Sequence, residues 1–274
     1  MPGVIYLVAT PIGNLEDITL RALRTLREVD LIACEDTRHT GRLLSHFEIE
    51  KPLVSYHDHN EAARAKELVE RAQNGQSIAV VSDAGAPGIS DPGFRVAKAA
   101  IEAGVQVVAI PGPSAAVTAL TASGLPSDRF RFEGFLPPRK AKRRSALEAL
   151  RPERSTVVLY ESPHRIVDVL RDIAAIFGDR QLVVAREMTK LHEEFLRGSA
   201  EDLVAILESR PAVKGEFVLL ISAADSAEPE SDLPLEARVS ELISDGIARM
   251  DAIKQAARER GMSKREAYQI LESC

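Results

Sequence analysis

Apolar and polar positions divide the chain into short buried runs separated by amphipathic stretches. The runs over 4–9, 31–34, 52–56, 78–81 and 105–110 have strand length, and the segments between them repeat apolar residues at helical spacing. Leu20, Leu23 and Leu26 set that spacing in a helix predicted over 18–29. Further helices are predicted over 37–47, from Asn60 as cap to Gln73 with Gly75 as stop, and over 94–103 with Gly104 as stop. Strand–helix repetition with loops this short predicts an α/β fold with a mainly parallel sheet covered on both faces.

A second series starts near Phe130. FRFEGF, TVVLYES and QLVVARE read as strands, helices are predicted over 141–150, 162–177 and 200–209, and EFVLLIS is the closing strand over 216–222. LTASGLPSDR (120–129) reads as the linker between two α/β domains, 1–121 and 122–225. The acidic, proline-bearing segment over 224–234 reads as a second linker. Beyond it, 233–274 reads as a small helical domain, with Ile253, Ala256 and Ala257 on one helix, a turn at Gly261, and Ser263 capping a second helix through Leu271. Two readings fit: a helix-turn-helix unit presenting Lys264, Arg265 and Gln269 to nucleic acid, or a plain helical hairpin.

Bulk properties narrow the classes. The 274 residues are 45% hydrophobic, enough for real cores. No apolar run reaches the length of a membrane span, and the first residues lack the basic start of a signal peptide, so a cytoplasmic protein without membrane partners is expected. Cys34 and Cys274 cannot build a disulfide framework, and no zinc-type spacing occurs. His57 and His59 alternate in YHDHNE, but no third ligand accompanies them, so no metal is expected. A net charge of −6 argues against a protein that coats nucleic acid. Against that background PRKAKRR stands out, with Arg139, Lys140, Lys142, Arg143 and Arg144 either meeting an anion such as phosphate or forming an exposed helix face.

Candidate chemistry gathers in three loops that follow strands: TPIGNLEDI, SDAGAPGISDPG and PGPSAAV. Glycine and small residues let a ligand approach the backbone, and proline fixes the path. Doubly wound sheets bind ligands at this edge. Neither GxxxxGK[ST] nor a strand-following GxGxxG is present, so a triphosphate or dinucleotide signature is missing. Asp83 directly follows its strand, where a carboxylate serves a ligand or an Asx turn. Ser114 suits a ligand contact or a helix cap, and Ser90 or Asp91 is expected to start the following helix.

ATPIGNLEDIT, ACEDTR, SDAGAPGISDPG, PGPSA, FEGFLP, YESPHR and AREMTKLHEE occur in this order between about Val4 and Ser222. Together they resemble the tetrapyrrole-methylase family, and within it a branch acting on ribosomal RNA. The resemblance implies two α/β domains of the tetrapyrrole-methylase type with a donor cleft between them, S-adenosylmethionine as methyl donor, and a homodimer. It implies 2′-O-methylation of a cytidine ribose in the decoding region of 16S rRNA, within the small ribosomal subunit. Carried over by position, Pro11 borders the donor, and Asp83, Gly85 and Ala86 stand where relatives have a Gly-Asp-Pro loop facing the methionine part. Ser114 and Ala115 match donor-contacting positions, and Tyr160, Glu161 and Phe217 lie where the second domain closes over adenosine.

The sulfonium methyl is already activated, so the ribose hydroxyl is the obstacle. Charged candidates lie in CEDTR (Glu35, Asp36, Arg38) and in REMTKLHEE (Arg186, Glu187, Lys190, His192, Glu193). Lys190 with Glu187 is the preferred catalytic pair: a lysine of depressed pKa accepts the proton, or a charged one stabilises the developing alkoxide. RNA contacts are assigned to Arg38, the basic run 139–144, Lys264 and Arg265. Two alternatives stay open: the same donor with a tetrapyrrole precursor or protein histidine derivative as acceptor, and a non-catalytic nucleic-acid-binding regulator.

Overall fold

The computed structural model describes residues 2–224, 234–259, 262 and 264–272. They fall into two compact units, one holding both α/β halves up to residue 222 and the other the C-terminal helices.

In the first half, β1 (Val4–Val8), β2 (Leu31–Cys34), β3 (Leu53–Ser55), β4 (Ile78–Val81) and β5 (Gln106–Ile110) form a wholly parallel sheet in the order β3-β2-β4-β1-β5. Its inner strands β2 and β4 are buried along their whole length. Ile32, Ala79 and Val81 face α1 (Leu20–Glu28) and α2 (Thr37–His46), whereas Leu31, Ala33, Ile78 and Val80 face α3 (Glu61–Gln73) and α4 (Phe94–Glu102). That two-sided burial, about 1.5–3 kcal/mol for each large apolar side chain, explains the uninterrupted apolar runs. Asn60 precedes α3 but does not cap it; its Oδ1 accepts from His57 N–H at 2.9 Å.

The chain leaves β1 toward β2 and leaves β4 toward β5, in opposite directions across the sheet. Each connection passes across the other strand, and the two separate because α1 lies on one face of the sheet and α4 on the other. They remain tied at one point, where Thr10 and Gly85 exchange backbone hydrogen bonds of 2.9 and 3.0 Å.

The second half holds β6 (Phe130–Phe135), β7 (Thr156–Glu161), β8 (Leu182–Arg186), β9 (Glu194–Gly198) and β10 (Phe217–Ile221), ordered β6-β7-β10-β8-β9. This sheet is mixed, unlike the first. Only β6 and β7 are parallel, because β10 returns between β7 and β8 and runs against both. β9, unforeseen in the sequence, is a half-buried edge strand antiparallel to β8. One face packs on α6 (Lys140–Leu150), α7 (Ile166–Phe177) and α8 (Ala200–Glu208) through Leu147, Leu170, Ile173 and Leu203. The other face packs on α5 (Ala115–Ser123), whose Ala116, Ala119 and Leu120 meet Val158, Val183 and Val218. The chain thus enters the layers of the second half at α5, ahead of the boundary at 121, and the connecting segment shortens to 124–129.

The C-terminal unit comprises α9 (Leu235–Ser244), α10 (Arg249–Glu259) and α11 (Lys264–Glu272) around Val239, Leu242, Ile253, Ala256 and Ala267. The helix pattern breaks at Gly246, whose φ of 88° suits glycine. Gly261, Ser263, Cys274 and the side chains of Lys264 and Arg265 lie outside the described residues.

Candidate functional site

Loops from both halves enclose a cleft with two adjoining chambers. The larger, about 450 Å³, is lined by Asp83, Gly85, Ala86, Ser114 and Ala115 from the first sheet's loops and by Tyr160, Glu161 and Phe217 from the second half. Eight sequence-predicted donor residues therefore meet on one cavity. Pro11 lines the smaller chamber instead, about 310 Å³, together with Gly13, His39, Arg42 and Lys190. Ile12, Asp83, Ala84 and Glu216 border both.

The helix that follows Ser114 explains why this wall can bind a ligand. Ser114 occupies the cap position of α5 without using its side chain as a cap. Tyr160, reaching from β7, accepts the Ala116 N–H at 3.2 Å instead. The serine hydroxyl is left for the cavity, at the amino end of a helix where unpaired amides gather. On the opposite wall, the buried Glu161 accepts from Ser162 N–H through Oε1 at 2.7 Å. Its Oε2 has no hydrogen-bond donor among the described residues, although Arg165 Nη2 stands 3.3 Å away.

Carboxylates dominate the first half's side of the larger chamber. Asp83 Oδ1 accepts the Asp36 N–H at 3.0 Å, tying the loop after β4 to that after β2. Burial first, then neighbouring Asp83 and Asp58, raises the Glu35 carboxyl above its ordinary value. Burial, then Glu35, Asp83 and Asp58, pushes Asp91 up to about 7. Asp91 does not start a helix as the sequence suggested. Ser90 takes a left-handed turn (φ 62°), Gly93 precedes α4, and Glu61 Oε1 accepts the Gly93 N–H at 3.2 Å in place of a local cap. The Tyr56 hydroxyl holds Glu61 at 2.9 Å and accepts Val96 N–H at 3.2 Å, so a buried network sets the loop that carries Asp91.

The smaller chamber is built around a lysine. Lys190 Nζ donates to Glu187 Oε1 at 2.9 Å and to Glu216 Oε2 at 3.0 Å. Burial alone pulls its pKa down, but the two carboxylates outweigh burial and the net direction is up. The hydrogen bond from Lys190 in turn lowers Glu187. That direction runs against the depressed-pKa reading of Lys190 and with the charged one; Glu216 lies 26 residues away in sequence, so its pairing with Lys190 was not read. Gly13 makes the arrangement possible, because a Cβ there would lie 2.6 Å from Lys190 Cγ. Across the cleft a Cβ at Gly134 (φ 63°), in the β6 bulge, would lie 2.8 Å from Ser90 Oγ. The halves meet at two close contacts that tolerate no side chain.

The proposed RNA contacts separate. Arg38 is exposed and forked on Asp36 at 2.7 and 3.1 Å. Arg139, Lys140 and Lys142 are exposed on or beside α6. Arg143 is not a surface cation: it is 5% exposed and contacts Asp172 at 2.7 and 2.8 Å. Its position four residues before the buried Leu147 places it on the inward face of α6, a periodicity that was legible in the sequence. Arg144 shares Asp172 at 3.1 Å and stays partly exposed. His57 and His59 stack edge to face, and among the described residues no group of three His, Cys, Asp or Glu side chains converges to hold a metal ion.

Residues 4–204 match the model of the tetrapyrrole (corrin/porphyrin) methylases. The ribosomal RNA small subunit methyltransferase I of Halalkalibacterium halodurans is 50% identical, covering 98% of this chain and 94% of that protein. The protein of the same name from Synechocystis sp. is 48% identical, covering 98% and 97%. Among solved structures, the uroporphyrin-III-C-methyltransferase of Thermus thermophilus superposes with a TM-score of 0.57 at 25% identity, covering 80% of this chain and 94% of that one. A diphthine synthase shares the fold at a TM-score of 0.58 and 17% identity, covering 80% of this chain. The chain belongs to the tetrapyrrole methylase family and is a methyltransferase using a donor of the S-adenosylmethionine type.

Proposed function

We propose that the chain methylates the 2′ oxygen of a cytidine ribose in the decoding region of 16S rRNA, with S-adenosylmethionine as donor and the small ribosomal subunit as substrate. The observation that carries this reading is the join of two chambers, one acidic and amide-lined, the other holding a fixed lysine cation. The larger chamber suits the donor. Its volume lies within the range of ligand pockets, its carboxylates favour a cation, the Ser114 hydroxyl is not used as a cap, and Glu161 Oε2, ion-paired with Arg165, accepts no hydrogen bond among the described residues.

Bound there, the donor supplies an activated methyl carbon, so the chain's own work is placement and charge. Ser114 and the first amides of α5 offer hydrogen bonds, Tyr160 and Phe217 provide apolar walls, and Glu161 accepts from a hydroxyl or amine. Lys190, held protonated between Glu187 and Glu216, stabilises negative charge developing on the attacking ribose oxygen. Placement of the two reactants supplies much of the remaining acceleration. Exposed Phe94 and Ile101, seven residues apart on α4, offer an apolar stripe for the expected homodimer. No helix among the described residues is long and apolar enough to cross a membrane, in keeping with a cytoplasmic site of action.

The test is transfer of tritiated methyl to small subunits from cells lacking the corresponding modification, followed by digestion to nucleosides. Label in 2′-O-methylcytidine is the expected result. Methylation of a tetrapyrrole precursor with none in RNA overturns the reading.

A further inference from the structure

We propose that the smaller chamber is the acceptor-nucleotide subsite, in which Arg42 and His39 hold a phosphate beside the target and Lys190 faces the ribose 2′ oxygen. This rests on the RNA-methyltransferase reading above and names the residues that receive the RNA.

The two chambers divide by charge. Glu35, Asp83, Asp91 and Glu161 line the larger one, and among the described residues no lysine, arginine or histidine does. His39, Arg42 and Lys190 all border the smaller one. Its lining also carries Glu216, engaged by Lys190, and Asp83, bonded to the Asp36 amide, and among the described residues neither forms an ion pair with Arg42.

Helix geometry aims Arg42 and His39 together. Thr40, Leu43 and Leu44 bury one side of α2 in the first half. His39 and Arg42, three residues apart, share the other side and are exposed. Among the described residues neither side chain has a hydrogen-bond or ion-pair partner, whereas neighbouring Arg38 is committed to Asp36. An exposed arginine at the rim of a cavity, with its fork unspent, suits a phosphate.

Size and adjacency fix the rest. About 310 Å³ accommodates one unstacked nucleotide and excludes a duplex, matching the need to extrude a ribose before its hydroxyl can react. Because Ile12, Asp83, Ala84 and Glu216 border both chambers, the two adjoin, as transfer of a methyl group from one to the other requires.

Arg42→Gln, His39→Gln and the double variant test the assignment, with Arg42→Lys as the charge-preserving control. Donor affinity is measured by calorimetry with S-adenosylmethionine, and methyl transfer on unmodified small subunits across a salt series. Donor affinity is expected to stay within about twofold, while KM for subunits rises about tenfold in Arg42→Gln. The dependence of log KM on log salt should lose about one unit of slope for each phosphate contact removed, and Arg42→Lys should restore most of it. Unchanged KM and slope in the double variant, beside an active parent, overturn the subsite alone. A matching loss of donor affinity also overturns it, assigning the chamber to the donor. A parent protein inactive on RNA brings down both this inference and the function it rests on.

Discussion

Asp91→Asn removes one of the carboxylates that crowd the larger chamber and leaves its volume nearly unchanged. The Asp91 carboxyl is raised by burial, Glu35, Asp83 and Asp58 from 3.8 to about 7. Between those values the folded protein keeps a proton that the unfolded chain has released. Stability therefore falls as pH rises through this window, by at most about 1.4 kcal/mol per pH unit, and levels off above about pH 7. The ceiling is about 4 kcal/mol; water in the chamber reduces the expected share to about 1–2 kcal/mol. Asparagine never ionises, so the variant should gain on the parent from about pH 5 to about pH 7 and hold that gain at about pH 8. Urea unfolding of both proteins across this range measures the gap. The donor should act in the opposite sense. A cation in the chamber favours the ionised carboxylate, so parent affinity should rise between about pH 6 and 8 while the variant stays flat and binds about tenfold more weakly at the upper end. A stability gap independent of pH refutes the crowding, and parallel affinity profiles refute the cationic occupant.

Lys190→Ala should lower turnover by about a hundredfold or more with donor affinity retained, read by single-turnover methyl transfer beside calorimetry. Gly13→Ala places a methyl group against Lys190 Cγ and should reduce turnover more than donor affinity in the same pair of assays. Arg143→Ala leaves Asp172 with only the partly exposed Arg144 and should destabilise folding by about 3–5 kcal/mol in urea titrations, whereas Lys140→Ala and Lys142→Ala should leave stability within about 0.5 kcal/mol and weaken subunit binding in a filter assay. Glu35→Gln should narrow the ratio of affinities for S-adenosylmethionine and its demethylated product, measured by competitive calorimetry.

The loops were legible because their composition is itself the constraint. TPIGNL, SDAGAPGISDPG and PGPSA carry glycine and proline at strand ends, and the structure brings all three to one cleft. The first sheet was legible because strands buried on two faces are continuously apolar. The second sheet was not, since β9 reads as the charged EFLRG and nothing local reveals that β10 inserts between β7 and β8. α5 was partly read as linker because alanine, serine and threonine pack well against a flat sheet yet resemble loop composition. Residues whose roles depend on distant partners stayed hidden: Glu216 beside Lys190, Tyr160 capping α5, and Asp91 turned into the chamber by a left-handed Ser90. Arg143 differs, because its i, i+4, i+7 relation to Leu147 and Leu150 marked the buried face and the charge run obscured it.

The division of charge between the chambers has a consequence for the direction of the reaction cycle. Methyl transfer discharges the sulfonium, so the attraction that the carboxylates exert on the donor is lost from the product. On the proposed reading, the wall that favours loading thus also favours release. On the other side of the cleft the order reverses. With the acceptor placed as proposed, Lys190 would meet a neutral hydroxyl in the ground state and a developing negative charge in the transition state, so its hydrogen bond would strengthen as the reaction proceeds. Because Glu187 and Glu216 already hold the ammonium in place, little reorganisation is needed when that charge forms. On the proposed reading an acidic chamber discriminates donor from product, and the pre-set cation joined to it discriminates transition state from substrate.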